Sequence, residues 1–258
     1  MKSEYNLDFV KFKEKIEEFS EFNLSDIHIT GGNILLHSDF FKILNLLNDF
    51  SAVKKYYINY LNFDPVLSTE ILHNEKNKLI ILVNSPFEID DLKRILSISQ
   101  NNITFSFIFS NENEMFDLIS LIDELKLGYY NFKPFYHDNI DFFKKYVFIS
   151  ENDILSSKNS KNDILIKKHI NQFDYGKLVF YNDGKVYSNL NFKSLGNYEY
   201  NIYELIILEI TEKNSWFRTR PDLTPCNKCK FKLLCPSPSN YEIIIGQNNL
   251  CTQEINIT

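Results

Sequence analysis

Between residue 7 and about 149 the sequence alternates short apolar runs with amphipathic stretches of helical spacing, and this alternation restricts the possible folds more than any other feature. The runs SDIHIT (25–30), KKYYINYL (54–61), KLIILVN (78–84), ITFSFIF (103–109) and YYNFKPF (129–135) predict strands. FVKFKEKIEEFSEF (9–22) places Phe9, Phe12, Ile16 and Phe19 on one helical face. Further helices are predicted over FFKILNLLNDF (40–50) behind Asp39, through VLSTEILHNEK, over FEIDDLKRILSIS behind Pro86, and over EMFDLISLIDELKLG with Gly128 as its C-cap. Strands separated by helices of this length need crossover connections and therefore pair in parallel. Five such strands make an open sheet or a partial barrel, short of the eight of a closed one.

The pattern changes after Ile149. SENDILSSKNSKND is polar and predicts a linker over 150–165, dividing a domain at 1–149 from another at 166–258. Asn182-Asp183-Gly184 between two apolar runs predicts a hairpin, and YNIYELIILEITEKN (200–214) a helix whose apolar middle packs on a neighbour. The net charge of −6 argues against a nucleic-acid partner bound by general phosphate neutralisation. MKSEYNLDFVKFKEK carries charges throughout and lacks the apolar stretch of an export signal, so a cytoplasmic location is expected. No apolar run approaches the ~18 residues of a membrane span. The high aromatic content, 15%, and the single alanine, Ala52, read as codon bias and not as function.

All four cysteines, Cys226, Cys229, Cys235 and Cys251, fall in the last 33 residues. A C-x2-C pair on a tight turn directs two sulfurs to one side, a third follows in the same loop, and YEIIIGQNNL (241–250) can return the fourth by a hairpin turning at Gly246 or Asn248-Asn249. Four thiolates suit structural zinc or a four-iron, four-sulfur cluster, and spacing alone does not separate them. Cys235-Pro236 leans toward iron. From Glu212 to Cys235 the chain carries a net +4 that offsets the charge of either site. Two disulfides, or four free cysteines, are the alternatives.

TPCNKCKFKLLCPSPSNYEIIIGQNNLC resembles the C-terminal end of SPASM-domain proteins, the cluster-binding appendage of radical-SAM peptide maturases. It is most similar to pseudo-radical-SAM proteins encoded beside double-glycine precursors. DGKVYSNLNFKSLGN (183–197) resembles the SPASM hairpin, with Ser188 or Asn189 where active relatives tend to carry a cysteine, so only the second set of cluster ligands is implied. Ile27-His28-Ile29-Thr30-Gly31-Gly32-Asn33-Ile34-Leu35 resembles the strand and Gly-Gly-Glu-Pro turn that contacts S-adenosylmethionine, with Asn33 and Ile34 replacing Glu and Pro. The C-x3-C-x2-C loop of the catalytic cluster is absent, since no cysteine precedes Cys226, and the first strand of that fold is expected to be missing.

The resemblance therefore implies an α/β fold: a partial radical-SAM-like (βα) barrel with a parallel sheet, plus a small C-terminal metal-binding SPASM-like domain. It implies a catalytically degenerate protein that binds a precursor peptide or scaffolds a maturation enzyme, with S-adenosylmethionine not expected as a cofactor. Cys226, Cys229, Cys235 and Cys251 are the expected metal ligands; no catalytic or cofactor-binding residue is assigned. The rival functions are an iron–sulfur electron-transfer subunit and an interaction module with a structural zinc site. Two further features are open in the sequence. His28 and His37 flank the Gly-Gly turn and would share a pocket with Asp39, or are ordinary packed or polar histidines. Trp216, Phe217, Arg218 and Arg220 form either a peptide-holding cluster or the shell of the metal site.

Overall fold

The computed structural model describes residues 8–98 and 102–252. Packing divides the chain between His137 and Asp138, ahead of the composition shift at Ile149. The first unit contains α1 (Phe9–Glu18), β1 (Asp26–Ile29), α2 (Phe40–Asn48), β2 (Val53–Asn59), α3 (Pro65–Leu72), β3 (Asn77–Asn84), α4 (Ile89–Leu96), β4 (Ile103–Phe109), α5 (Glu112–Leu125) and β5 (Tyr130–Pro134). The five strands form one sheet in the order β1-β2-β3-β4-β5, every pair parallel, as the alternation predicts. Helix starts follow their caps: Asp8 accepts from the backbone N–H of Val10, and Asp64 from that of Val66 with Pro65 opening α3. Helix ends fall earlier than expected. Lys126, not Gly128, caps α5 in the left-handed conformation (φ 51°), donating to the Ile122 carbonyl as soon as the buried stripe Leu118, Leu121, Ile122 is complete. Ser99, at the predicted end of α4, lies outside the described residues.

The strand parity separates two faces. Tyr56, Ile58, Leu79, Ile81, Val83, Phe105 and Phe107 are at most 2% exposed and form the core with Leu47, Ile71, Leu92 and Leu118 of α2 to α5. Each such aliphatic side chain contributes about 1.5–3 kcal/mol by its burial. Lys54 shares this face, fully buried, and donates to the Phe50 carbonyl at 3.1 Å. The other face presents His28, Lys55, Tyr57, Asn59, Asn84, Thr104 and Lys133, all partly or fully open to solvent. The same face also carries Ile80, Leu82 and Ile108 and the buried Ser106, so it is mixed where the first is almost wholly apolar.

The second unit contains α6 (Ile140–Tyr146), α7 (Glu151–Ser156), α8 (Lys161–His169), β6 (Val179–Phe180), β7 (Lys185–Tyr187), β8 (Gly196–Asn197), α9 (Ile202–Glu212) and α10 (Asn240–Ile245). The stretch 150–165, expected as a linker, carries α7 and the start of α8. Both open on reciprocal caps, Ser150 with Asp153 and Ser160 with Asp163, and these Ser-x2-Asp signals are easily lost in a polar composition. The hairpin forms as expected, with β6 paired to β7 and Gly184 at φ 81° in its turn, and β8 adds a third antiparallel strand. Helix α9 packs through Ile202, Leu205 and Glu209, while Tyr203, Ile207 and Ile210 of its apolar middle remain exposed. Among the described residues no helix is long and apolar enough to cross a membrane.

Candidate metal centre

All four cysteines are free thiols within the second unit, Cys226 buried and the others half-buried. Cys226 opens a short turn, Cys226–Lys228, which closes when the Cys229 N–H donates to the Cys226 carbonyl at 2.9 Å. The next turn follows directly: the backbone N–H of Phe231 donates to Cys229 Sγ at 3.4 Å and that of Cys235 to the Phe231 carbonyl at 3.1 Å. The expected hairpin return over 241–250 is instead helix α10. Its start is fixed by a capping box between Ser239 and Glu242, and its end by Gly246 in the left-handed conformation at φ 74°. Gly246 thus turns the chain as the sequence suggests, after a helix and not within a hairpin. Asn248 then docks on the first cysteine loop, donating to the Thr224 carbonyl at 3.0 Å, and Cys251 follows in a parallel bridge with Ile149.

Arg220 and Glu242 hold this assembly together. Both are buried, at 5% and 2% exposure, with Nη2 to Oε1 at 2.5 Å. Arg220 Nε donates to the Pro236 carbonyl and Nη1 to the Asn248 carbonyl, each at 3.0 Å, and Nη1 stands 3.8 Å from Cys226 Sγ. Burial pulls the Arg220 pKa down, but Glu242 and Cys226 more than offset it and the guanidinium stays charged. Burial also raises the Cys226 thiol, against the opposing pull of Arg220. For Cys235 burial raises the thiol to about 11, with Arg220 opposing and Cys229, Cys226 and Cys251 adding to the rise.

The donor chemistry fits a soft, four-sulfur centre: four cysteines, a backbone N–H directed at one sulfur, and a buried guanidinium beside another. The thiols are not gathered around one point. Cys226 Sγ donates to the Asn248 carbonyl at 3.5 Å and Cys251 Sγ accepts from Asn249 Nδ2 at 3.5 Å. Among the described residues no three His, Cys, Asp or Glu side chains stand close enough together to hold a metal ion.

The cluster around Trp216 divides: Arg218 and Arg220 bond to the cysteine-bearing segment, whereas the Trp216 and Phe217 rings pack against Tyr175. Trp216 is buried with Nε1 bonded to the Lys177 carbonyl, the buried Glu209 carboxylate accepts from the N–H groups of Ser215 and Trp216, and Arg218 donates to the Ser239 carbonyl. Arg220's bonds into the core leave it no role in a surface peptide contact. Sequence reading missed Glu242 as its partner because the two stand 22 residues apart; the Ser-x2-Glu capping signal was the available cue. Ser188 and Asn189, where a further cysteine would be expected in active relatives, are both buried. Asn189 donates to Asp174 at 2.9 Å and to Asn240 at 2.6 Å, while among the described residues the Ser188 hydroxyl has no hydrogen-bond partner. His37 stands beside Asp39 as expected, whereas His28 pairs with Tyr57. His28 Nδ1 lies 3.1 Å from the Tyr57 hydroxyl, and His37 accepts from the Asp39 backbone N–H while the Asp39 carboxylate pairs with Lys42.

No protein-family model matches the chain, and no curated protein sequence matches it. Its fold does match solved structures, which supports the parallel α/β architecture that the alternation predicts. They are structures of SuiB from Streptococcus suis. SuiB bound to S-adenosylmethionine superposes with a TM-score of 0.53 and 12% identity, covering 95% of this chain and 70% of SuiB. SuiB alone gives 0.56 at 11% identity over 95% and 71% of the two chains, and SuiB bound to the precursor peptide SuiA gives 0.52 at 13% over 95% and 68%. At such identities the match speaks for the fold.

Proposed function

We propose that this chain is a radical-SAM-like protein of peptide natural-product maturation that binds a precursor peptide, or holds one for a partner enzyme, without generating a radical from S-adenosylmethionine. One observation carries the reading: a fold shared over 95% of the chain with SuiB, in a sequence that has no cysteine before Cys226. Reductive cleavage of the sulfonium needs an iron with an open coordination position, and this sequence offers no C-x3-C-x2-C ligands for it. The precursor-bound structure of SuiB supports peptide binding on this scaffold.

The C-terminal segment is read as SPASM-like. Cys226, Cys229, Cys235 and Cys251 would hold a four-iron, four-sulfur cluster, which when bound supplies electron transfer or a rigid staple for the loops. The chain's own contributions are Arg220, which places positive charge beside the Cys226 sulfur, and the Phe231 N–H at Cys229. Because the buried thiols are held protonated, loading the site releases protons.

Anaerobic purification with metal analysis tests the centre: about four irons per chain with broad visible absorbance is expected. One zinc per chain in a colourless protein would replace the cluster with a structural zinc site. Co-purification with the precursor peptide encoded beside the gene tests the peptide reading, and no association with the wild-type protein counts against it.

A further inference from the structure

The open face of the sheet carries a charged group that the cysteine segment does not use. Lys133 of β5 reaches over β3 and β4 so that its ammonium lies 5.3 Å from the centre of the Tyr57 ring on β2. The Tyr57 hydroxyl stands 3.1 Å from His28 Nδ1 on β1, and the two rings stack at 5.6 Å. Three strands therefore meet at one spot. Among the described residues no carboxylate lies within ion-pairing distance of Lys133. Asp26 is the sole acidic strand residue on this face, and it is already paired with Lys55 at 2.5 Å.

The aromatic ring attracts the ammonium through its quadrupole without neutralising it, so the charge and its N–H donors remain to be satisfied. Nearby burial holds the Lys133 pKa below the ordinary lysine value, a destabilisation of the charge that an anion would relieve. A second observation points the same way. Ser106, centred on β4 with its side chain on this face, is fully buried, and among the described residues its hydroxyl has no hydrogen-bond partner. The face thus combines an uncompensated positive charge with an unsatisfied polar group, in a chain whose overall charge is −6.

We propose that this face takes the carboxylate of an acidic side chain of a bound peptide, with Lys133 as the charged contact and the Tyr57–His28 pair as the wall that fixes where the ammonium sits. The inference rests on the peptide-binding reading and adds the chemistry that the face selects.

The test uses the full chain and two fluorescein-labelled decapeptides, one rich in glutamate and one with glutamine at the same positions, followed by fluorescence anisotropy. Wild type is expected to favour the glutamate peptide by about tenfold, the scale of a partly screened charge-assisted hydrogen bond. Lys133→Met should abolish the preference and Lys133→Arg should keep most of it, with circular dichroism confirming that both variants fold. A preference that survives in Lys133→Met, or equal binding of both peptides by wild type, overturns the proposal. If the precursor encoded beside the gene binds wild type and Lys133→Met equally well, the carboxylate site falls and peptide binding stands. Failure of wild type to bind any of these peptides removes both.

Discussion

Taking a guanidinium and a carboxylate out of water costs several kcal/mol per ion, and the pair is tolerated only when its remaining donors and acceptors are satisfied. Arg220 meets that condition through the carbonyls of Pro236 and Asn248 and the Glu242 carboxylate, and Glu242 through the Ser239 N–H at 2.8 Å besides. The two side chains join three segments that are distant in sequence: the turn at Arg220–Asp222, the loop after Cys235, and the start of α10. Arg220→Met leaves Glu242 as an unpaired buried charge and is expected to lose about 3–5 kcal/mol. Arg220→Lys keeps the charge but loses the planar fork, so it should restore only part of that. Trp216 is the sole tryptophan and is buried in the same unit, so its fluorescence in a urea titration reads the loss directly. A change under about 1 kcal/mol for Arg220→Met would show that the pair is not what holds the loops.

At the scale of elements, α9 depends on a cap that sequence spells out. Asn201 Oδ1 accepts from the Glu204 N–H, and Glu204 Oε2 accepts from the Asn201 N–H, each at 2.9 Å. Asn201→Ala is expected to destabilise the unit by about 1 kcal/mol, seen as a lower urea midpoint with an unchanged slope. The same local logic made most of the first unit readable. KLIILVN reads as a strand, being too short for a buried helix and rich in β-branched residues, and it became β3, the middle strand of the five. Elements whose signals are local and polar were harder to see. The Ser-x2-Asp caps of α7 and α8 and the Ser-x2-Glu cap of α10 sit in stretches whose composition suggests loop, so a linker and a hairpin were expected where helices form. In the candidate site the four cysteines were legible from their spacing. Arg220 with Glu242, and Lys133 with Tyr57, were not, because each pair is joined only by the tertiary fold.

For the whole molecule, the division between His137 and Asp138 separates two different sources of stability. The first unit has a continuous apolar core, with Leu79, Ile81, Val83 and Phe107 fully buried across adjacent parallel strands. The second has two- and three-residue strands, short helices, and a cysteine segment made largely of single turns. Few of its apolar side chains after Leu205 are fully buried, and its order around the cysteines rests on polar contacts such as those of Arg220. A metal bound by the four cysteines would therefore supply folding free energy to the second unit and little to the first. Hydrogen exchange on the full chain, purified with its metal and then treated with chelator, resolves the two. Amides of residues 215–252 are expected to lose protection by several orders of magnitude on metal removal, while those of β2, β3 and β4 keep theirs. Equal loss in both units would mean that they unfold as one cooperative body. Unchanged protection at Cys229 and Cys235 would mean that the polar network alone fixes the loops, and the cysteines would then have to be explained without a metal.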